Sequence, residues 1–171
     1  KIFKIFIIVL LALLILRLLI HNSSAFYLNK PDLPFSLHLN KKDVVLVKGE
    51  EFKLFVYGIN KRVSFSSTNF RVAGVNIFGK ITAYQPGKAF IKAKVDDKTL
   101  KCRIRVIDIS KNKITLKEGE TYRLRVKGIV AVPKWESSDE IIATVSDFGK
   151  VKAKSKGKAT ITAKVKGKVV K

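Results

Sequence analysis

The chain has 171 residues, enough for one ordinary domain or two small ones at about 100–200 residues each and too few for a large multidomain enzyme. Thirty-five Lys and Arg against 13 Asp and Glu give a net charge of +22, yet 47% of the residues are hydrophobic, which excludes a disordered basic tail. One Cys forms no internal disulfide, and with two His it falls short of the three or four ligands of a zinc site, so disulfide scaffolds and zinc fingers are excluded too.

The first predicted element is a hydrophobic helix within residues 1–25. Every residue from Ile5 to Leu16 is apolar, Lys1 and Lys4 precede the run, and Arg17 interrupts it before Leu18, Leu19 and Ile20. A basic start, an apolar stretch and a small-residue exit at Ser23-Ser24-Ala25 match a secretory signal peptide cleaved after Ala25. The rival reading is an uncleaved membrane anchor. Ile5 to Ile20 is slightly short of the ~20 residues of a spanning helix, but Arg17 can snorkel to an interface. Lys1 and Lys4 then hold the amino end in the cytoplasm. A buried core helix is the weaker reading, because such a helix should show a polar face. Both main readings export the rest of the chain. No Cys follows the apolar run, which leaves a lipid-modified signal unsupported. The chain holds no Met and starts at Lys1, so a longer protein is expected. Residues 26–36, with Phe26, Tyr27, Pro31, Pro34 and Phe35, read as a linker.

From there the sequence repeats itself at an offset of 70 residues without a gap. Gly49 falls on Gly119, Leu54 on Leu124, Gly58 on Gly128, and Phe65 on Trp135. Phe78-Gly79-Lys80 falls on Phe148-Gly149-Lys150, and Gly87-Lys88-Ala89 on Gly157-Lys158-Ala159. About two dozen identities over about 65 positions are too many for chance, and they predict two homologous domains at 37–106 and 107–171.

Within each repeat the hydrophobic period is two. Tyr122, Leu124 and Val126 alternate with Arg123, Arg125 and Lys127, and Ala159, Ile161, Ala163 and Val165 alternate with Lys158, Thr160, Thr162 and Lys164. This is the pattern of half-buried strands. Turn residues at Lys48-Gly49-Glu50, Phe78-Gly79-Lys80, Pro86-Gly87-Lys88 and Asp96-Asp97-Lys98 bound strands at the spacing of sandwiches and barrels. The expected fold class is therefore all-β, two tandem sandwiches after the N-terminal helix. The first repeat closes with Leu100, Cys102, Ile104 and Val106 inward and Lys101, Arg103 and Arg105 outward, whereas the second runs out at Val169-Val170-Lys171. The second sandwich is expected to lack its last strand, with further sequence beyond Lys171.

The second repeat reads Leu116 to Leu124 as an opening strand, then Trp135-Glu136-Ser137-Ser138-Asp139, Ala143-Thr144-Val145, Gly149-Lys150-Val151 and Gly157-Lys158-Ala159-Thr160-Ile161-Thr162-Ala163. In this order and spacing it resembles the bacterial immunoglobulin-like domain of group 2, a module of intimin and invasin type adhesins. The first repeat departs from the pattern, with Phe65-Ser66-Ser67-Thr68-Asn69 in place of Trp135 to Asp139. The resemblance implies immunoglobulin-like sandwiches and a non-enzymatic surface role, and it transfers no catalytic or binding residue. The ring at 65 or 135 is expected in the core, beside a turn whose Ser and Asp side chains bond local backbone, in preference to stacking on a ligand.

Catalysis fails on inventory. His21 and His38 lie outside any position shared by the repeats, and the pairs Glu50-Glu51, Asp96-Asp97 and Asp139-Glu140 fall at predicted turns, where solvated carboxylates are commoner than acid and base pairs. A calcium ion held by Asp108 or Asp147 is disfavoured at this net charge, and no metal or cofactor is expected. Cys102 reads as a buried small hydrophobe, with a reactive thiol as the rival. Lys150, Lys152, Lys154, Lys156 and Lys158 alternate with Val151, Ala153, Ser155 and Gly157, which sets a row of ammonium groups along one strand and turn. The plain reading is a solvated face protecting a sheet edge. The functional one is contact with a polyanion, such as teichoic acid, acidic polysaccharide or glycosaminoglycan. Nucleic acid is not expected, since the chain is read as exported and carries no RNA-binding aromatic motif. Phe55, Tyr57, Tyr84 and Phe90 stand at outward positions where the second repeat has Arg125, Lys127, Lys154 and Thr160. Residues 26–35 or a neighbouring domain would cover that surface, or it forms an aromatic patch for sugar rings or a partner protein.

The expected function is that of an exported, non-catalytic cell-surface or secreted protein acting in adhesion or as a spacer. Its expected partners are an anionic cell-wall polymer, a polysaccharide or a surface protein, and the membrane if the N-terminal segment is retained. The alternative is the wall-binding part of a larger secreted hydrolase.

Overall fold

The computed structural model describes residues 37–58 and 62–171. The helix expected at 1–25 and the linker at 26–36 lie outside the described residues. Among the described residues every regular element is a strand, and no helix is long and apolar enough to cross a membrane.

The first repeat contributes β1 (His38–Leu39), β2 (Asp43–Val47), β3 (Glu51–Lys53), β4 (Val56–Tyr57), β5 (Ser64–Ser67), β6 (Ala73–Val75), β7 (Lys80–Ala83), β8 (Gly87–Val95) and β9 (Lys98–Ile109). The period-two pattern is visible in β8, where Ala89, Ile91, Ala93 and Val95 are buried and Lys88, Lys92 and Lys94 are exposed. Successive side chains of a strand point to opposite faces, so this alternation commits one face of the strand to a core. One sheet runs β3-β7-β6, antiparallel throughout. The other sets β5, β8 and β9 antiparallel, with β2 joined in parallel to the far side of β9. Ala73, Ile81 and Ala83 from the first sheet meet Leu46, Ile91, Cys102 and Ile104 from the second in one core, which makes a β-sandwich.

The second repeat contributes β10 (Thr121–Arg123), β11 (Val126–Lys127), β12 (Lys134–Ser137), β13 (Ala143–Val145), β14 (Lys150–Ala153), β15 (Ile161–Val165) and β16 (Lys168–Val170). The sheets β10-β14-β13 and β12-β15-β16 enclose Leu124, Trp135, Val151, Ala163, Val165 and Val170. Where no closing strand was expected, Lys168–Val170 form β16 and pair with β15 at Val165↔Lys168 and Ala163↔Val170. The tight turn at Lys166-Gly167 suffices to bring them back, and Val170 is buried by the register this imposes.

β9 serves both repeats. Val106 is fully buried in the first core and its neighbour Ile107 is fully buried in the second, because adjacent residues of a strand face opposite ways. β2, in register beside it at Leu46↔Val106 and Val47↔Ile107, does the same: Leu46 packs in the first core, Val45 and Val47 against the second. β11 then extends the sheet by pairing with the end of β9 at Val126↔Ile109.

The repeated motif residues are structural. Ser137 Oγ donates to Ala143 O at 2.7 Å and accepts Asp139 N, Ser138 Oγ accepts Thr160 N at 2.8 Å, and Asp139 Oδ1 accepts Ile141 N at 2.9 Å. Ser67 and Thr68 make the matching bonds to Ala73 O and Phe90 N. These side chains therefore peg the loop between β12 and β13, or β5 and β6, onto the sheets, as expected from their types. Trp135 is buried, and Phe65 packs against the first core.

Candidate functional site

The row of lysines starts on β14. This strand lies between β10 and β13, so it is a central strand and its lysines do not guard an edge, contrary to the plain reading above. Val151 is buried beneath it, and Lys150 and Lys152 on the opposite face are exposed. Register adds a cation that spacing alone could not supply: Arg123 on β10 stands directly across from Lys150. Lys152 is flanked by Thr121 and Thr144. Lys154 follows the strand and is exposed, its N–H bonded to Ile142 O at 2.8 Å. Lys156 and Lys158 are exposed as well, but they sit beyond a bend at 155–157 on the crossover toward β15. The structure thus gathers Arg123, Lys150, Lys152 and Lys154 on one sheet face and carries the other two away from it.

The corresponding face of the first repeat differs in charge. There Lys80 Nζ lies 2.7 Å from Glu51 Oε2, and Thr82 stands where the second repeat has Lys152. At the position of Glu51 the second repeat has Thr121, so its face keeps the cations and loses the acid. Residues two apart on a strand are separated by about 6.6–6.8 Å, which is inside the Debye length of about 8 Å at physiological salt. The potentials of neighbouring ammonium groups therefore add along the strand.

The expected aromatic residues lie on different elements. Tyr57 stacks on His38 with ring centroids 5.0 Å apart. Phe55 accepts a bond from Asn40 N at its carbonyl and donates its own N–H to Asn40 Oδ1. Tyr84 follows β7 with its ring over Gly74, and Phe90 is half-buried on β8 with Lys88 Nζ 5.8 Å from its ring centroid. Phe26 to Phe35, the segment expected to cover them, lies outside the described residues.

Among the described residues no group of three His, Cys, Asp or Glu side chains is placed to hold a metal ion. Asp108 accepts Ile109 N at 2.8 Å and faces Lys48 Nζ at 3.9 Å, while Asp147 is exposed. Cys102 is fully buried, and burial, reinforced by the charge of Asp43, pushes its thiol up to about 11. Glu50 is not the free turn carboxylate expected: burial works against its charge, yet hydrogen bonds from Lys168 and from Val47 N–H hold it below its usual range.

Residues 103–171 match the family model described as Bacterial Ig-like domain (group 2), which takes in the second repeat and the end of β9. Among solved structures, an intimin mutant of EHEC O157:H7 matches at 24% identity and a TM-score of 0.37 over 44% of this chain and 51% of that one. Domains 1–6 of the surface layer protein SbsC match at 23% and 0.34, over 64% of this chain and 19% of that one. The C-terminal 282-residue fragment of intimin, in complex with the intimin-binding domain of the translocated intimin receptor, matches at 17% and 0.42, over 79% and 61%. The chain spans less than two thirds of the length of each of these structures. A comparison with curated proteins gave no match.

Proposed function

With residues 103–171 matched to the bacterial Ig-like domain of group 2, we propose that this is a non-catalytic protein of the cell surface, exported through its N-terminal segment. Two sandwiches, 37–106 and 107–171, act in adhesion or as a spacer, and the second holds an anionic polymer on its outer face. The observation that carries the binding role is the set Arg123, Lys150, Lys152 and Lys154, exposed on one sheet face with no ion pair to any of them among the described residues. Exposed cations with no ion pair among the described residues keep their attraction for an external polyanion, and one sheet face presents them together.

The test is retention on immobilised poly(glycerol phosphate) teichoic acid. The protein should be held at low salt and released as salt rises. Lys150→Gln, Lys152→Gln and Lys154→Gln together should elute it earlier while leaving the circular dichroism unchanged, since these side chains face water. Retention that ignores both salt and the three substitutions would reject the reading.

A further inference from the structure

On the equivalent face of the first repeat, the three-stranded sheet β3-β7-β6 carries two adjoining hollows of about 420 and 410 Å³, at the lower end of the ~300–1,000 Å³ of small-molecule sites. Glu51, Asn76 and Lys80 line both and form their shared wall. Phe70 and Tyr84 also line one hollow, and Phe52, Lys53 and Phe78 the other; of these rings, Phe70, Tyr84 and Phe78 are the exposed ones. These rings are exposed by 71, 51 and 69%, so their apolar area is turned to water and none is a core residue. We propose that this face binds a chain of uncharged pyranose sugars, with Tyr84 and Phe70 taking the apolar faces of one ring and Phe78 that of the next.

Three observations specify the chemistry. The Tyr84 ring lies against the bare backbone of Gly74, where a Cβ would come within 2.9 Å of Cε2, so the glycine makes room for a ring that is still half exposed. Covering a strand glycine accounts for that contact, but it accounts for neither Phe70 nor the polar wall. Asn76 Oδ1 accepts both Phe78 N and Lys80 N at 3.0 Å, which fixes the carboxamide, and its two N–H donors have no partner among the described residues. Glu51 and Lys80 neutralise each other at 2.7 Å while keeping spare acceptor and donor capacity. The ion pair, the amide and the flanking rings, with Lys53 Nζ 6.0 Å from the Phe78 ring centroid as an added cation, suit the alternating hydroxyl groups and C–H faces of a sugar.

The second repeat is the internal control. At the positions of Phe70, Gly74 and Tyr84 it has Glu140, Thr144 and Lys154, so these two rings and the glycine cradle are absent together, while Phe148 keeps the place of Phe78. The two faces thus differ in degree: the first adds the Phe70 and Tyr84 rings and the acid Glu51 beside its cations Lys53 and Lys80, while the second has Thr121 in place of that acid and keeps an exposed ring only at Phe148 among these positions, and this site stands independently of the polyanion reading.

The experiment is a calorimetric titration of the full chain with the β-1,4-linked hexamers of glucose and of N-acetylglucosamine, at low and at high salt. Saturable binding of either hexamer, unchanged by salt, is expected. Phe70→Glu with Gly74→Thr and Tyr84→Lys, which install the residues the second repeat folds with, should abolish it. Phe70→Ala alone should weaken it about three- to tenfold. Lys152→Gln, on the other face, should leave it unchanged. No binding of either hexamer, binding that fades with salt, or binding retained by the triple variant would overturn the proposal.

Discussion

Lys168 Nζ lies 2.6 Å from Glu50 Oε2, which ties the last hairpin of the second repeat to the first turn of the first across 118 residues of sequence. The pair sits beside the wall that β2 and β9 present to both cores, so the repeats share packing as well as a connection. Ile107→Ala should therefore unfold the second core first, at a cost of about 2–5 kcal/mol for a fully buried Ile. Trp135, the only Trp and a member of that core, reports it. A shift in its fluorescence at lower urea than in the parent is expected. An Ile104→Ala chain, altered in the first core, should show a smaller change in the Trp135 transition.

Acid should loosen the protein through two carboxylates. Hydrogen bonds from Arg103, opposed by burial and joined by Arg105, hold Asp43 below its ordinary 3.8, and those from Lys168 and Val47 hold Glu50 below 4.5. A depressed carboxyl contributes stability that is present above the unfolded value and is lost as pH falls through the folded one. The urea midpoint should thus hold from neutrality to about pH 5 and fall below about pH 4. Asp43→Asn should lower it at neutral pH and flatten the fall.

Gly149 stands at φ +74°, and a Cβ there would come 2.5 Å from Leu124 O and 2.9 Å from Trp135 Cζ2. Gly119 has a similar φ of +81° with open space around it. Gly119→Ala should cost about 1–2 kcal/mol, the left-handed penalty alone. Gly149→Ala should cost more, because backbone and the indole must also move. Equal losses in urea unfolding would contradict the packing account.

Cys102 should resist alkylation by iodoacetamide near neutral pH in the folded protein, since the thiolate is the nucleophile and this thiol is both enclosed and raised to about 11. Full labelling is expected in denaturant. Rapid labelling of the native chain would reverse the assignment of this residue as core.

The strand pattern and motif chemistry were legible because they are local: the alternation through Ala89, Ile91, Ala93 and Val95, and the hydroxyl run at Ser137-Ser138, carry their own burial and hydrogen-bond requirements. What depends on pairing was not. Arg123 joins the cationic face only because β10 is registered against β14, and no spacing in the sequence states which strands adjoin. Phe70 joins Tyr84 for the same kind of reason, reaching the face of β3-β7-β6 from the turn before β6. The lysine row read as continuous to Lys158 because alternation persists in the sequence after β14 has ended at Ala153.

The most direct test of the cationic face is the salt dependence of the equilibrium affinity for soluble poly(glycerol phosphate), measured for the parent and for a chain with Arg123→Gln, Lys150→Gln, Lys152→Gln and Lys154→Gln. The account predicts that the logarithm of the binding constant falls steeply with the logarithm of salt in the parent, and that the variant binds more weakly with a shallower slope, because fewer counterions are released from the polymer. Equal affinity and equal slope in the two proteins would contradict it.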